Sequence, residues 1–205
     1  MSAPTATEKV KEFVRTEGLV RPKDVEEAGL PQRLLYRLRD RGELLQTTSG
    51  LFRHPESEVT EKHPYAEAAK KVPRGVVCLI SALAFHEIGT QMPPRIWMAL
   101  DRVNTWEPEV SEPPMEFVWF SGPAFEEGQE AHEIDGVEVR VYSPAKTVAD
   151  LFKYRNKIGL NVALEGLREG WEDGRFTMDE LQHYAEVCNV REVMRPYLQA
   201  LVSGP

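Results

Sequence analysis

The stretch GLPQRLLYRLRDRGELLQ, residues 29–46, constrains the fold more than any other. Wound as an α-helix over residues 31–41, at 100° per residue, it gathers Leu34, Leu35 and Leu38 into one narrow arc. Arg33, Arg37 and Arg41 recur at i, i+4 and i+8 on a second stripe, flanked by Gln32, Tyr36 and Arg39. Such a helix must bury its leucine side and turn its arginine side to water or to an anion. Its neighbours supply the burial. A first helix is expected over Thr7–Glu17, with Val10, Phe13 and Val14 inward and Gly18 at its end. Pro22 suits the first turn of a short second helix, Pro22–Ala28, with Val25 as its core residue and Gly29 as the turn. The third helix is expected to begin at Pro31 and stop before Gly42. Leu44–Leu45 and Leu51–Phe52–Arg53 then flank the polar tip Gln46–Gly50, which reads as a β-hairpin. Three helices followed by a hairpin is the order of a winged helix-turn-helix.

Beyond this the pattern changes. His54–Glu61 (HPESEVTE) is a polar linker. Helices are expected at Tyr65–Lys71 and, strongly apolar, at Cys78–Glu87; strands are expected at Ile96–Leu100 and Glu116–Phe120. Glu133–Tyr142 reads as a hairpin, because Asp135–Gly136 is a type I′ turn signal and Val137, Val139 and Val141 alternate. Ser143 as N-cap and Pro144 at the first position open another helix. Leu160–Trp171 is helical, and Thr177-x-x-Glu180 is a capping box for the next helix, with Leu181, Tyr184, Ala185 and Cys188 on one face. A last helix carries Val193, Met194, Tyr197, Leu198 and Leu201; Pro196 should kink it or mark its start. The expected class is α+β. A winged helix-turn-helix domain occupies residues 1–60, and a larger mixed α/β domain with a small sheet occupies residues 61–205.

Charge sharpens the division. The chain carries −8 overall, which argues against an indiscriminate nucleic-acid binder. Residues 1–54 hold 10 Lys+Arg against 8 Asp+Glu, a net +2, and the remaining residues carry −10. Such asymmetry suggests domains with different partners. The N-terminal residues are polar, with no secretory leader expected. The longest apolar run, Val76–Phe85, is too short to span a bilayer, so no membrane partner is expected. Cys78 and Cys188 fit no zinc spacing and read as reduced core residues, consistent with the cytoplasm.

The arginine helix is the first candidate site. A charge run is usually a solvated face. Here the charge is one-sided, with Asp40 the only acid on the helix, and Gln32 and Tyr36 stand near its N-terminal end, where base edges are read. Arg bonds bidentately to guanine and Gln to adenine, while phosphate contacts add affinity without sequence information. Gln32, Arg33, Tyr36, Arg37, Arg39 and Arg41 are therefore the expected DNA contacts of the helix.

The other motifs yield less. Ser143-x-x-Lys146 matches the serine–lysine nucleophile pattern, but no Lys-Thr-Gly follows, so it reads as an N-cap serine and an exposed lysine. Asp135…Glu138–Val139–Arg140 faintly resembles a nuclease metal site; Asp135 lies in the turn and Arg replaces the lysine, and no metal site is expected. The five histidines form no ligand spacing, and there is no glycine-rich phosphate loop. His86–Glu87 reads as a cap or a core hydrogen bond. No catalytic residue and no cofactor are expected, and the chain is read as a non-enzyme. Lys153, Arg155 and Lys157, with Lys146 upstream, form a second basic cluster. This is either a solvated helix end or a second anion contact. Glu126, Glu127, Glu130, Glu133 and Glu138 crowd one loop and hairpin, as a partner surface or simply a soluble loop.

"CLISALAFHEIGTQMPPRIWMAL" and "IDGVEVRVYSPAKTVADLFKYRNKIGLNVALEGLREG", with "GLFRHP" at the exit of the wing, resemble the AbiEi family of antitoxins from bacterial type IV toxin–antitoxin systems. Ser143–Gly166 carries most of the specificity. The resemblance implies a transcriptional autorepressor whose winged helix binds repeats in the promoter of its own operon. It implies a C-terminal domain that counters a nucleotidyltransferase-like toxin, directly or functionally. By residue, DNA contact falls on Arg33 and Arg37 and on the wing at Thr47, Thr48 and Arg53. Some relatives carry an appended nuclease domain, which this chain is not expected to hold. The alternative is an interaction protein whose winged helix and C-terminal domain bind a protein partner rather than DNA.

Overall fold

The computed structural model describes residues 4–103 and 107–203, and these group into two compact units. The first comprises Met1–Arg74 with Pro108–Pro114 and His132–Val139; the second comprises Gly75–Glu107, Met115–Ala131 and Arg140–Pro205.

The first unit opens with α1 (Ala6–Glu17). A full capping box starts it: Thr5 Oγ1 accepts from the Glu8 amide, and the Glu8 carboxylate accepts from the Thr5 amide at 2.6 Å. There follow β1 (Leu19–Val20), α2 (Pro22–Glu27), α3 (Arg33–Asp40), β2 (Leu45–Gln46) and β3 (Phe52–Arg53). The strands form an antiparallel sheet in the order β1-β3-β2, with both Val20 and Gln46 opposite Phe52. This is the expected winged helix-turn-helix, with one addition. β1 was not anticipated, because two residues carry no alternation and the strand exists only by pairing with β3. The turn between α2 and α3 needs a left-handed residue, and Gly29 supplies it at φ 71°. Val10, Val14, Val20, Val25, Leu34, Leu35, Leu38, Leu44 and Phe52 form one core, to which the leucine side of α3 is committed.

α4 (His63–Lys71) belongs to the same unit. His63 Nδ1 lies 2.5 Å from Asp135 Oδ2, and the Thr60 amide and hydroxyl donate to Asp135 Oδ1. Lys70 reaches Asp24 at 3.4 Å. The backbone of Asp135 also approaches the end of α1 closely. A Cβ on Gly18 would stand 2.2 Å from the Asp135 carbonyl oxygen, so only glycine fits there.

The second unit contains most of a five-stranded mixed sheet. Its strands are β4 (Val76–Val77), β5 (Ile96–Asp101), β6 (Met115–Phe120), β7 (Gln129–Ile134) and β8 (Val137–Tyr142), in the order β6-β5-β4-β8-β7. β4 runs antiparallel to β5 and parallel to β8, and β5 runs parallel to β6. The β7–β8 turn takes left-handed conformations at both Asp135 (φ 50°) and Gly136 (φ 77°), as a type I′ turn requires. The helices are α5 (Leu79–Phe85), α6 (Pro123–Glu126), α7 (Pro144–Lys153), α8 (Arg155–Ile158), α9 (Leu160–Glu172), α10 (Met178–Val187) and α11 (Arg191–Ser203). Ser143 caps α7, and the Thr177–Glu180 box caps α10. α11 already begins at Arg191 and runs through Pro196, so the proline does not mark its start. α7 is the central element: every residue from Ala145 to Phe152 is buried. The surrounding core includes Leu79, Leu83, Tyr142, Val148, Leu151 and Leu167. The fold class is thus the expected α+β. Among the described residues no helix is long and apolar enough to cross a membrane.

Candidate nucleic-acid interface

α3 presents its two faces as its sequence dictates. Leu34, Leu35 and Leu38 are buried, while Arg33, Arg37 and Arg41 are exposed. Arg33 and Arg37 have no ion-pair or hydrogen-bond partner among the described residues, so their guanidinium donors face solvent uncommitted. Gln32, half-buried, occupies the N-cap without a side-chain capping bond.

The remaining candidates are engaged locally. The Tyr36 ring meets Phe52 edge-on, with centroids 5.3 Å apart, which fixes the outer face of α3 against β3. The Arg39 guanidinium lies 5.3 Å from the Tyr36 ring centroid, pairs with Asp40 at 2.7 Å and donates to Gln46 Oε1 at 2.6 Å. It therefore ties the helix to β2, a positioning contact that periodicity could not reveal. Arg41 stands 3.9 Å from Glu43, whose carboxylate also pairs with Lys11. The side-chain hydrogen bond from Lys11 holds the Glu43 carboxyl below its ordinary value. In the wing, Thr47 Oγ1 and Ser49 Oγ lie 2.6 Å apart, and Thr47 Oγ1 also accepts from the Leu51 amide, while Thr48 is exposed. Arg53 is half-buried and donates to the carbonyls of His54 and Ser57 at 3.4 and 3.3 Å.

The second basic cluster does not assemble as expected. Lys146 is not an exposed lysine: its side chain is fully buried, bonded to Asp150 at 2.6 Å and stacked over the rings of Tyr142 (4.1 Å) and Phe120 (4.8 Å). It cannot reach an external anion. An i, i+4 lysine–aspartate pair inside a helix of apolar residues was the available signal. Cys188 completes the arrangement, its thiol 3.2 Å from Asp150 Oδ1. Burial pushes the Asp150 carboxyl up from its ordinary value, against the pull of the Lys146 ammonium. Burial likewise raises the thiols of Cys78 and Cys188, both free and inert in the core. Lys153 is exposed, Arg155 donates to the Phe152 carbonyl, and Lys157 pairs with Glu116 over the Trp97 ring. His86 makes a core hydrogen bond to the Tyr142 carbonyl at 2.8 Å.

The fold and this face define a winged helix-turn-helix protein with an uncommitted arginine pair on its third helix. Comparison with known sequences adds a likeness over the N-terminal part. Residues 8–55 match the family described as "Transcriptional regulator, AbiEi antitoxin", and the resemblance to AbiEi antitoxins is borne out over this segment. No curated protein matches the chain. In structure it is similar to the RV2827C protein from Mycobacterium tuberculosis, with a TM-score of 0.58 and 14% identity over 98% of this chain and 80% of that one. At that identity the likeness establishes the fold.

Proposed function

We propose that this chain is a DNA-binding antitoxin that represses its own operon and counters a nucleotidyltransferase-like toxin of a type IV system. The observation that carries the DNA-binding half is the state of α3: a leucine face locked in the core and Arg33 and Arg37 exposed without partners. A protein surface that leaves two guanidinium forks unpaired on a helix beside a wing is suited to base edges and phosphates. Gln32 and Thr48 flank that surface, and Arg41 and Arg53 contribute positive charge near it. The antitoxin half rests on the matched family and on the acidity of the remaining chain, which disfavours duplex DNA and suits a basic partner.

The test is a reporter placed behind the promoter upstream of the gene, together with growth in the presence of the adjacent toxin. Expression of the chain should silence the reporter and restore growth. A reporter indifferent to the chain would contradict autorepression, and unrelieved toxicity would contradict the antitoxin role.

A further inference from the structure

The second unit contains a cleft of about 670 Å³, within the range of small-molecule sites, roughly 300–1,000 Å³. Asp150 and Cys188 line its buried part, and Trp119 and Tyr154, both half-buried, supply aromatic wall. Its charges sort unevenly. Three carboxylates line it, and each already has a partner: Glu127 bonds His183 at 2.7 Å, Glu186 pairs with Arg191 at 2.8 Å, and Asp150 pairs with Lys146 at 2.6 Å. The two lining cations, Arg102 and Lys153, are exposed and form no direct ion pair among the described residues, although the Lys153 charge is felt by the Asp150 carboxyl. The cleft therefore places two cations free of direct ion pairs beside carboxylates that are each engaged with another group.

We propose that this cleft binds a small phosphorylated molecule bearing a flat ring, with Arg102 and Lys153 taking the phosphate and Trp119 and Tyr154 the ring. Two separate cations match a phosphate dianion, and a guanidinium adds fork geometry. The rings offer stacking of roughly 1–3 kcal/mol to any planar base. Burial pushes the Tyr154 phenol up to about 12, so it stays neutral and does not repel the anion. The Lys146 ammonium behind Asp150 offsets the one carboxylate in the buried part.

The protein titrated calorimetrically with adenosine monophosphate, adenosine and inorganic phosphate tests this. Adenosine monophosphate should bind, and the other two should bind at least tenfold more weakly. Arg102→Gln and Lys153→Gln should each weaken it roughly tenfold, as expected for a lost charge-assisted hydrogen bond. Their melting temperatures should stay unchanged, because both side chains are exposed. Arg33→Ala/Arg37→Ala should bind it normally, which separates this site from the DNA-binding surface. Absence of both heat and thermal stabilisation at millimolar adenosine monophosphate would overturn the proposal. So would equal affinity for adenosine, or unchanged affinity in the Arg102→Gln/Lys153→Gln double variant.

Discussion

Lys146 shows how a single residue can mislead and inform at once. A lysine three places after an N-cap serine reads as a solvated helix residue, yet it lies in the core between two rings and a carboxylate. Removing one partner of a buried pair strands the other, so Lys146→Met should cost roughly 3–5 kcal/mol, whereas Lys146→Met with Asp150→Leu should recover much of that. Urea unfolding of the three proteins measures it, and a single variant as stable as the wild type would mean that the pair is dispensable. The arginines differ from one another for equally local reasons. Arg41 is exposed and should act on phosphate, so Arg41→Ala should weaken binding to all sequences alike and flatten the salt dependence by about 0.9 in log–log slope. Arg39→Ala should do the same and also loosen the wing, because Arg39 holds Gln46. A salt slope identical to wild type in both variants would assign these side chains to solvent and structure alone.

At the scale of elements, legibility followed locality. The capping boxes at Thr5 and Thr177, the N-cap at Ser143 and the Asp135–Gly136 turn are decided by residues within four positions, and all four patterns stand in the sequence, although the expectation for the first helix starts it at Thr7 rather than from the Thr5-x-x-Glu8 box. β1 and β4 are two-residue strands whose partners lie more than 20 positions away, and no local pattern reports them. The loop after α5 is another non-local construction. Glu165 on α9 accepts from the Thr90 amide (2.6 Å) and hydroxyl (2.7 Å) and from Gln91 (2.8 Å), while Glu169 accepts from the Gly89 amide. The Thr90 bonds lower the Glu165 carboxyl below its ordinary value of 4.5. A depressed carboxyl stabilises the fold above its unfolded value and loses that contribution as pH falls through the folded one. Glu165→Gln should therefore melt below the wild type at neutral pH, and the gap should narrow as the pH falls below the ordinary carboxylate value. A gap of constant size across that range would show that the carboxylate charge is not what holds the loop.

Across the whole molecule, the amino-acid sequence already separates a weakly basic N-terminal segment from an acidic remainder, and the two compact units each carry their own core. We propose that direct DNA reading falls to residues 1–60 and toxin neutralisation to residues 61–205. Because α4 and the β7–β8 turn group with the first unit, the division is better probed in the full chain than by cutting it. An uncut Arg33→Ala/Arg37→Ala chain, supplied from an independent promoter, should still protect cells from the toxin. Loss of protection in a folded, normally abundant variant would mean that neutralisation also draws on the DNA-reading face.

The same variant gives the most direct measurement: its affinity for the native upstream promoter, compared with wild type by gel shift at fixed salt. A base-edge contact is worth roughly 1–3 kcal/mol, so loss of both guanidiniums should weaken specific binding about 100-fold or more. Neither side chain packs in the core, so melting should not change. Wild-type affinity in the folded double variant, or no sequence preference in the wild type itself, would contradict the account of α3 as the DNA-reading helix.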